Sequence, residues 1–347
     1  MASSTVSWEE VRRKAGWSGA MEMPVDQEPL PSRELADRVL SGEVRALARA
    51  ITLVEAGGAA GQELLARLRS RGGKARVIGV TGPPGGGKST LTDGLVAAAR
   101  AQGERVAVVA VDPSSPFSGG AILGDRIRMT RWHSDPQVYI RSMATRGHLG
   151  GLAAATLQVV ALLDAVGFDT ILLETVGVGQ SEVEIAKAAD TTLLVLTPGQ
   201  GDAVQAFKAG IMEIADLYVI NKADQPGASR LRREIRLMLQ IARQNAQHAA
   251  HDSQNQDAEW RTPILETIAN RSEGVEALME GVLSHGEHLR ATGKQGEMRH
   301  RRVRFEIAAI LHEELRRTLE GREHEFVEEI LSGRLTPAGA VARLLRR

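Results

Sequence analysis

Cysteine does not occur among the 347 residues, which excludes disulfide staples and thiolate metal sites and fits a reducing compartment. Charge of one sign is not in excess: 43 lysines and arginines face 43 aspartates and glutamates, so no net field draws the chain toward nucleic acid or an anionic membrane. Long apolar runs are missing as well. No stretch of about eighteen apolar residues occurs, and residues 1–27 mix Trp8, Glu9, Glu10, Arg12, Arg13 and Lys14 without the apolar centre of a secretory signal. These absences predict a soluble cytoplasmic protein with neither nucleic acid nor membrane as partner. The length is enough to bury a sizeable core, as one large α/β domain with additions or as two modest domains.

What is present centres on Gly82-Pro83-Pro84-Gly85-Gly86-Gly87-Lys88-Ser89. The run fits G-x-x-x-x-G-K-[ST], stands directly after the apolar Val77-Ile78-Gly79-Val80, and precedes a helix-forming stretch from Leu91 to Arg100. Glycines let successive backbone N–H groups turn toward phosphate oxygens, and the helix that follows adds the positive end of its dipole. Lys88 then reaches the β- and γ-phosphates, the Ser89 hydroxyl binds Mg²⁺, and Thr90 lies against the α-phosphate.

Around this loop the chain divides by pattern. Residues 1–30 are polar, with Pro24 and Pro29, and form an extension whose short Trp8 to Trp17 segment is the one helical candidate in it. Ser32 suits an N-cap, and the apolar spacing of Leu35, Val39, Leu47, Ile51 and Val54 predicts two helices broken near Ser41-Gly42. Gly57-Gly58 closes the second helix, and a third piece runs from Gln62 to Arg69. From Lys74 onward apolar runs alternate with helical stretches, the signature of a parallel sheet covered on both faces. Seven runs are expected as strands: Val77–Val80, Val106–Val111, Val138–Ile140, Ile171–Leu173, Leu193–Leu196, Leu217–Ile220 and Ile264–Leu265. Their carboxyl ends carry the phosphate loop, Asp112, Arg141, Glu174, Thr197-Pro198-Gly199, Asn221 to Asp224, and Thr267 to Asn270. Ligands of open α/β sheets bind there, so these groups are expected to converge on one crevice. A long helix follows over 226–260, giving way to the polar His248 to Glu259. After Gly286 helical periodicity returns at Val303, Ile307, Ile310, Leu311, Leu315 and Leu319, and a short helix near Pro337 to Leu345 ends the chain. The stripe on this last arm needs a partner: its own sheet, or the same arm of a second subunit.

The base is identified by Asn221-Lys222-Ala223-Asp224, an N-K-x-D directly after a strand. A carboxylate at Asp224 accepts hydrogen bonds from both the N1–H and the exocyclic amine of guanine, and adenine cannot match it. The Lys222 stem lies along the base and Asn221 joins the neighbouring loops. The backbone of Ile268, Ala269 and Asn270 is expected against the guanine O6. Glu174-Thr175-Val176-Gly177 occupies the position of a metal-linked acid and of a glycine whose N–H meets the γ-phosphate. Asp112 and Asp125 are two further hard-oxygen candidates near Mg²⁺. Gln180, just past Gly177, is a candidate for orienting water.

The combination of Val111-Asp112-Pro113-Ser114-Ser115-Pro116, Gly120 to Asp125-Arg126, Glu174 to Glu182 and Asn221 to Asp224 resembles the MeaB/ArgK-type GTPases, over about Leu35 to Leu319. Glu174-Thr175-Val176-Gly177-Val178-Gly179-Gln180-Ser181-Glu182 is its most specific part. The phosphate loop is more glycine-rich here than in the family pattern, and residues before about 28 match nothing in it. The resemblance implies an α/β fold of the P-loop NTPase class with an all-parallel sheet, N-terminal helices (31–73), a GTPase domain (74–285) and a C-terminal helical dimerisation arm (286–347). It implies a slow GTPase, GTP and GDP as its nucleotides, and a homodimer. Its expected partner is an adenosylcobalamin-dependent acyl-CoA mutase, methylmalonyl-CoA mutase or a relative, whose cofactor loading it gates and whose docking speeds hydrolysis. By resemblance, Ser89, Asp112, Asp125 and Glu174 surround Mg²⁺, Lys88 and Glu174 act in catalysis, and Gln200 to Lys208 forms a mobile switch from which Lys208 reaches the nucleotide. Three rival readings are a metal-insertion GTPase, a small-molecule P-loop kinase, and a regulatory module in which nucleotide only sets conformation. For the first, His248, His251, His285 and His288 are the available histidines, and they are expected to be solvated.

Overall fold

The computed structural model describes residues 32–112, 129–144, 154–175, 181–199, 211–249, 260–319 and 324–344. Three short helices come first: α1 (Ser32–Leu40), α2 (Val44–Ala56) and α3 (Ala59–Leu68). The breaks fall where glycine takes φ values closed to other residues, at Gly42 (φ 85) and at Gly57 and Gly58 (φ 72 and 85). Ser32 does not act as the expected cap; it is the first helical residue and its hydroxyl donates to Glu63 at 3.1 Å.

All seven apolar runs form strands: β1 (Arg76–Thr81), β2 (Val106–Asp112), β3 (Val138–Ala144), β4 (Thr170–Thr175), β5 (Thr191–Leu196), β6 (Leu217–Asn221) and β7 (Ile264–Thr267). They make one parallel sheet in the order β3-β2-β4-β1-β5-β6-β7. The helices between them are α4 (Lys88–Ala101), α5 (Ala154–Ala165), α6 (Ser181–Ala188) and α7 (Ala228–Ala249), followed by α8 (Val275–Ala291), α9 (Lys294–Leu319), α10 (His324–Leu331) and α11 (Pro337–Leu344). Residues of β1 and β4 alternate between two cores, and a third lies between β5, β6 and α7. Val77, Ile171 and Leu173 pack with Ile51, Leu64 and Leu163 on one face; Ile78, Val80 and Leu172 pack with Leu91, Leu95, Leu278 and Val282 on the other. A sheet buried on both faces needs continuous apolar strands, which is why these runs lack a polar alternation. From β1 the chain goes outward to β2 and β3, returns to β4 beside β1, and then builds β5 to β7 on the opposite side. The reversal sits at β1 and β4, so the crevice of the sheet opens above their carboxyl ends.

Two element boundaries differ from expectation. Arg141 lies in the middle of β3, because that strand continues to Ala144, and its guanidinium pairs with Glu55 of α2 instead of facing the crevice. Helical periodicity does not restart after Gly286; α8 runs through it, since glycine in a helix costs only about 1 kcal/mol and the flanking Val282 and Leu289 are buried.

The first half of α9 is fastened to the amino end of the sheet. Arg302 pairs with Asp190 at 2.5 Å, and the same carboxylate accepts the Val77 N–H at 2.9 Å. Arg69, past α3, pairs with the buried Glu306 at 2.6 Å. Further along α9 the apolar stripe is bare: Ile307 and Leu311 are 60 % and 59 % exposed. Phe326 of α10 and Ala340 of α11 form a small core of their own. No helix among the described residues is long and apolar enough to cross a membrane.

His285 is not solvated as expected. It is buried at the amino ends of β5 and β6, with Nδ1 2.9 Å from the Thr191 hydroxyl, Nε2 3.5 Å from Asp216, and its ring 4.8 Å from that of Trp260. His288 packs on the same tryptophan at 5.3 Å. Burial, with a smaller contribution from His288, lowers the His285 pKa to about 4. Because an unfolded histidine titrates near 6.5, the stability His285 contributes is complete above pH 6.5 and is lost as pH falls from there toward 4. Asp216, raised by burial to about 6, acts in the opposite sense: its contribution is complete below the usual carboxylate range and fades as pH rises through 6. Denaturant melts of His285→Gln against the parent are therefore expected to show a smaller loss of stability between pH 6.5 and 4, with the His285 ring resonance static above pH 5. A ring titrating near 6.5 contradicts this.

Candidate functional site

The phosphate loop occupies the crevice between β1 and α4. Gly82 takes φ 136 and Gly87 φ 81. A Cβ on Gly82 would stand 2.1 Å from the Val195 carbonyl oxygen of β5, and one on Gly87 would stand 2.4 Å from the side-chain nitrogen of Asn221. Both positions admit only glycine, for conformation and for space. Helix α4 begins at Lys88, so its first turn directs backbone N–H groups and the positive dipole end into the loop. Gly86 is buried, whereas Pro84, Gly85 and Thr90 are exposed, and Pro83 is half-buried. Lys88 is buried, and its ammonium donates to the carbonyls of Gly82 at 2.8 Å and Pro83 at 2.9 Å.

Beside the loop, β4 ends in Glu174 and Thr175, with Glu174 in register with Val80. The Ser89 hydroxyl donates to Glu174 at 2.7 Å, and both residues are buried. A hydroxyl and a carboxylate on adjacent elements, below a phosphate-binding loop, fit a hard cation that keeps water and phosphate among its ligands. Asp112 closes β2, one strand further out, with its Cα paired to Ala144. Asp125, Gly177, Gln180 and Lys208 lie outside the described residues, as does His251.

On the other side of the loop, β6 ends in Asn221, whose buried side chain touches three segments. Its amide donates to the Gly86 carbonyl at 2.9 Å, and its oxygen accepts from the Thr267 hydroxyl and the Ala269 N–H, each at 3.1 Å. Lys222 stands at φ 56, an uncommon left-handed conformation for a lysine, and its ammonium donates to the Gly85 carbonyl at 2.9 Å. Asp224 is exposed on the turn that follows, as is Asn270 on its own loop. The N–H of Ile268 is donated to Glu273 at 3.0 Å, closing the loop that holds Ala269 and Asn270.

The structure therefore gathers Gly82 to Thr90, Glu174, Asn221, Lys222 and Ala269 at one rim. Sequence reasoning missed two supports. Gly274 (φ 76) ends the Ala269 loop where a Cβ would meet the Glu266 carbonyl at 2.2 Å, a signal visible as the glycine preceding α8. Asp93 on α4 accepts from the Trp132 indole at 2.7 Å and from Arg131 at 2.9 Å, which ties the phosphate-loop helix to the turn before β3. One acid on a helix gives no signal of that kind.

Comparison with known proteins agrees with this geometry. Residues 47–324 match the family profile described as methylmalonyl Co-A mutase-associated GTPase MeaB. A protein of Pyrococcus abyssi carrying the GTPase name is 48 % identical over 80 % of this chain and 83 % of its own. The mouse methylmalonic aciduria type A homolog, mitochondrial, is 32 % identical over 90 % of this chain and 80 % of its own. Among solved structures, one titled LAO/AO transport system kinase superposes with a TM-score of 0.63 at 26 % identity, covering 92 % of this chain and 98 % of the other. A parallel P-loop sheet with an N-K-x-D loop lashed to its phosphate loop, and a family match over most of the chain, lead to one assignment: the chain belongs to the MeaB family of GTPases.

Proposed function

We propose that this GTPase hydrolyses GTP to GDP and phosphate with Mg²⁺, in the cytoplasm and as a homodimer. We further propose that it uses the two nucleotide states to gate loading, protection or reactivation of adenosylcobalamin in a B12-dependent acyl-CoA mutase. The observation that carries the nucleotide reading is the Asn221 side chain, which joins the guanine-reading loop to the phosphate loop through Gly86 and Ala269. The client is supported by the family description and by the name of the mouse relative.

Each residue then has a role. The loop N–H groups and Lys88 hold the β- and γ-phosphates, and Thr90 lies against the α-phosphate. Ser89 and Glu174, with Asp112 and Asp125, hold Mg²⁺, which when bound offsets charge on the phosphate oxygens. The Gly177 N–H senses the γ-phosphate. Asp224 pairs with the guanine edge, the Lys222 stem covers the base, and Ile268, Ala269 and Asn270 line its far side. Residues 74–285 carry this chemistry. The bare Val303, Ile307 and Leu311 of the 286–347 arm, four residues apart on one helical face, support pairing with a second copy. Phosphoryl transfer asks the protein for positioning and positive charge, and a group supplied late is worth about 10³–10⁵ in rate. Lys208, brought in when the mutase docks, is proposed as that group.

Three outcomes test this reading. Asp224→Ala is expected to weaken GDP binding by about tenfold or more, through loss of two charge-assisted hydrogen bonds, in displacement assays with a fluorescent guanine nucleotide; unchanged affinity removes Asp224 from the base site. Single-turnover GTP hydrolysis should accelerate when a B12-dependent acyl-CoA mutase is added, and identical rates with and without it would end the client proposal. Lys208→Ala should leave the basal rate within about twofold and remove most of the stimulation. A full mutase response in that variant assigns the activating charge elsewhere.

A further inference from the structure

Away from the nucleotide rim, an open groove of about 590 Å³ runs between α7 and β7, an edge strand of the sheet among the described residues. Its lining combines Leu239 and Ile264, which rest on the core beneath, and Thr262 with a stripe of Arg232, Arg236, Gln240 and Gln244 along α7. Two guanidiniums followed by two carboxamides at intervals of four residues share one helical face, about 6 Å apart along the axis. Arg232 pairs with Glu266 at 3.1 Å, yet its Nε is buried without a hydrogen-bond partner. Arg236 is exposed and has no ion pair among the described residues. Elsewhere on α7, Leu237 and Ile241 are 59 % and 49 % exposed. Nothing in the handling of nucleotide uses this face.

The spacing identifies the chemistry that fits. An extended peptide repeats every two residues, about 6.6 Å, so four helical steps and two strand steps stay within about 2 Å over the whole stripe. Glutamine carboxamides donate and accept together, as a peptide backbone does, while Arg236 has no carboxylate among the described residues and Arg232, paired through one nitrogen with Glu266, keeps donors for a second one. Leu239 and Ile264 take the side chains that point the other way. We propose that the α7–β7 groove is a docking site for an extended acidic peptide of a partner protein. Carboxylates at two alternate positions would meet Arg232 and Arg236, backbone amides would meet Gln240 and Gln244, and apolar residues between them would rest on Leu239 and Ile264. The inference is independent of the client proposed above.

The probe is a displayed library of random peptides of about seven residues, the length that four alternate contacts span. It is panned against the full chain and counter-selected on a folded Arg236→Glu/Gln244→Leu variant whose GDP affinity equals that of the parent. Enrichment of sequences with acidic residues at alternate positions and apolar residues between them is expected. A fluorescein-labelled copy of the leading peptide should lose affinity by about tenfold or more with Arg236→Glu and also weaken with Gln244→Leu alone. No enrichment over the variant, or equal binding by parent and variants, overturns the proposal. Full displacement by millimolar inorganic phosphate also overturns it, because it marks a general anion site.

Discussion

The Asn221 side chain is the contact on which the site depends. It spends its donor on Gly86 and its acceptor on Thr267 and Ala269, so one buried amide fixes the mutual position of the phosphate loop and the two loops expected to hold the base. Gly87 is the matching constraint: only a residue without a Cβ lets the loop pass that close to Asn221. A buried amide that loses one partner leaves the other unsatisfied, at roughly 1–3 kcal/mol for each group. The three loops therefore hold or fail together.

Sheet order supplies the rest. Placing β4 beside β1 puts Glu174 within hydrogen-bonding distance of Ser89, and placing β5 and β6 on the other side carries Asn221 to the phosphate loop. At the opposite end of the sheet Asp164 accepts the N–H groups of Gly73, Lys74 and Ala75, and Asp190 accepts the Val77 N–H while pairing with Arg302. The segment leaving α3 and the first half of α9 are thus fastened where the strands begin, leaving the strand ends free for ligand. Rigid support below and loops above is the arrangement expected of a site whose loops answer to the presence of a terminal phosphate.

Much of this was legible in the chain. Seven apolar runs gave seven strands because a strand buried on both faces must be apolar throughout, and the G-x-x-x-x-G-K-[ST] pattern fell on the strand-to-helix turn it requires. What was not legible depends on contacts distant in sequence. Strand order places Arg141 against Glu55 of α2 rather than in the crevice, and no local pattern encodes that pairing. His285 looked like any histidine on a helix, and only the fold sets it between Thr191, Asp216 and Trp260. Gly286 looked like a boundary because its propensity is poor, but burial on either side outweighed it. Asp93 carried no signal, since its partners Arg131 and Trp132 lie nearly forty residues further along the chain.

The central claim is that loops joined by Asn221 make a site for guanine and not for adenine nucleotide. Calorimetric titration of the purified chain with GDP and, separately, with ATP, each in the presence of magnesium, tests it most directly. Saturable heat with GDP and none with ATP is the predicted result; saturable heat with ATP and none with GDP would contradict the account.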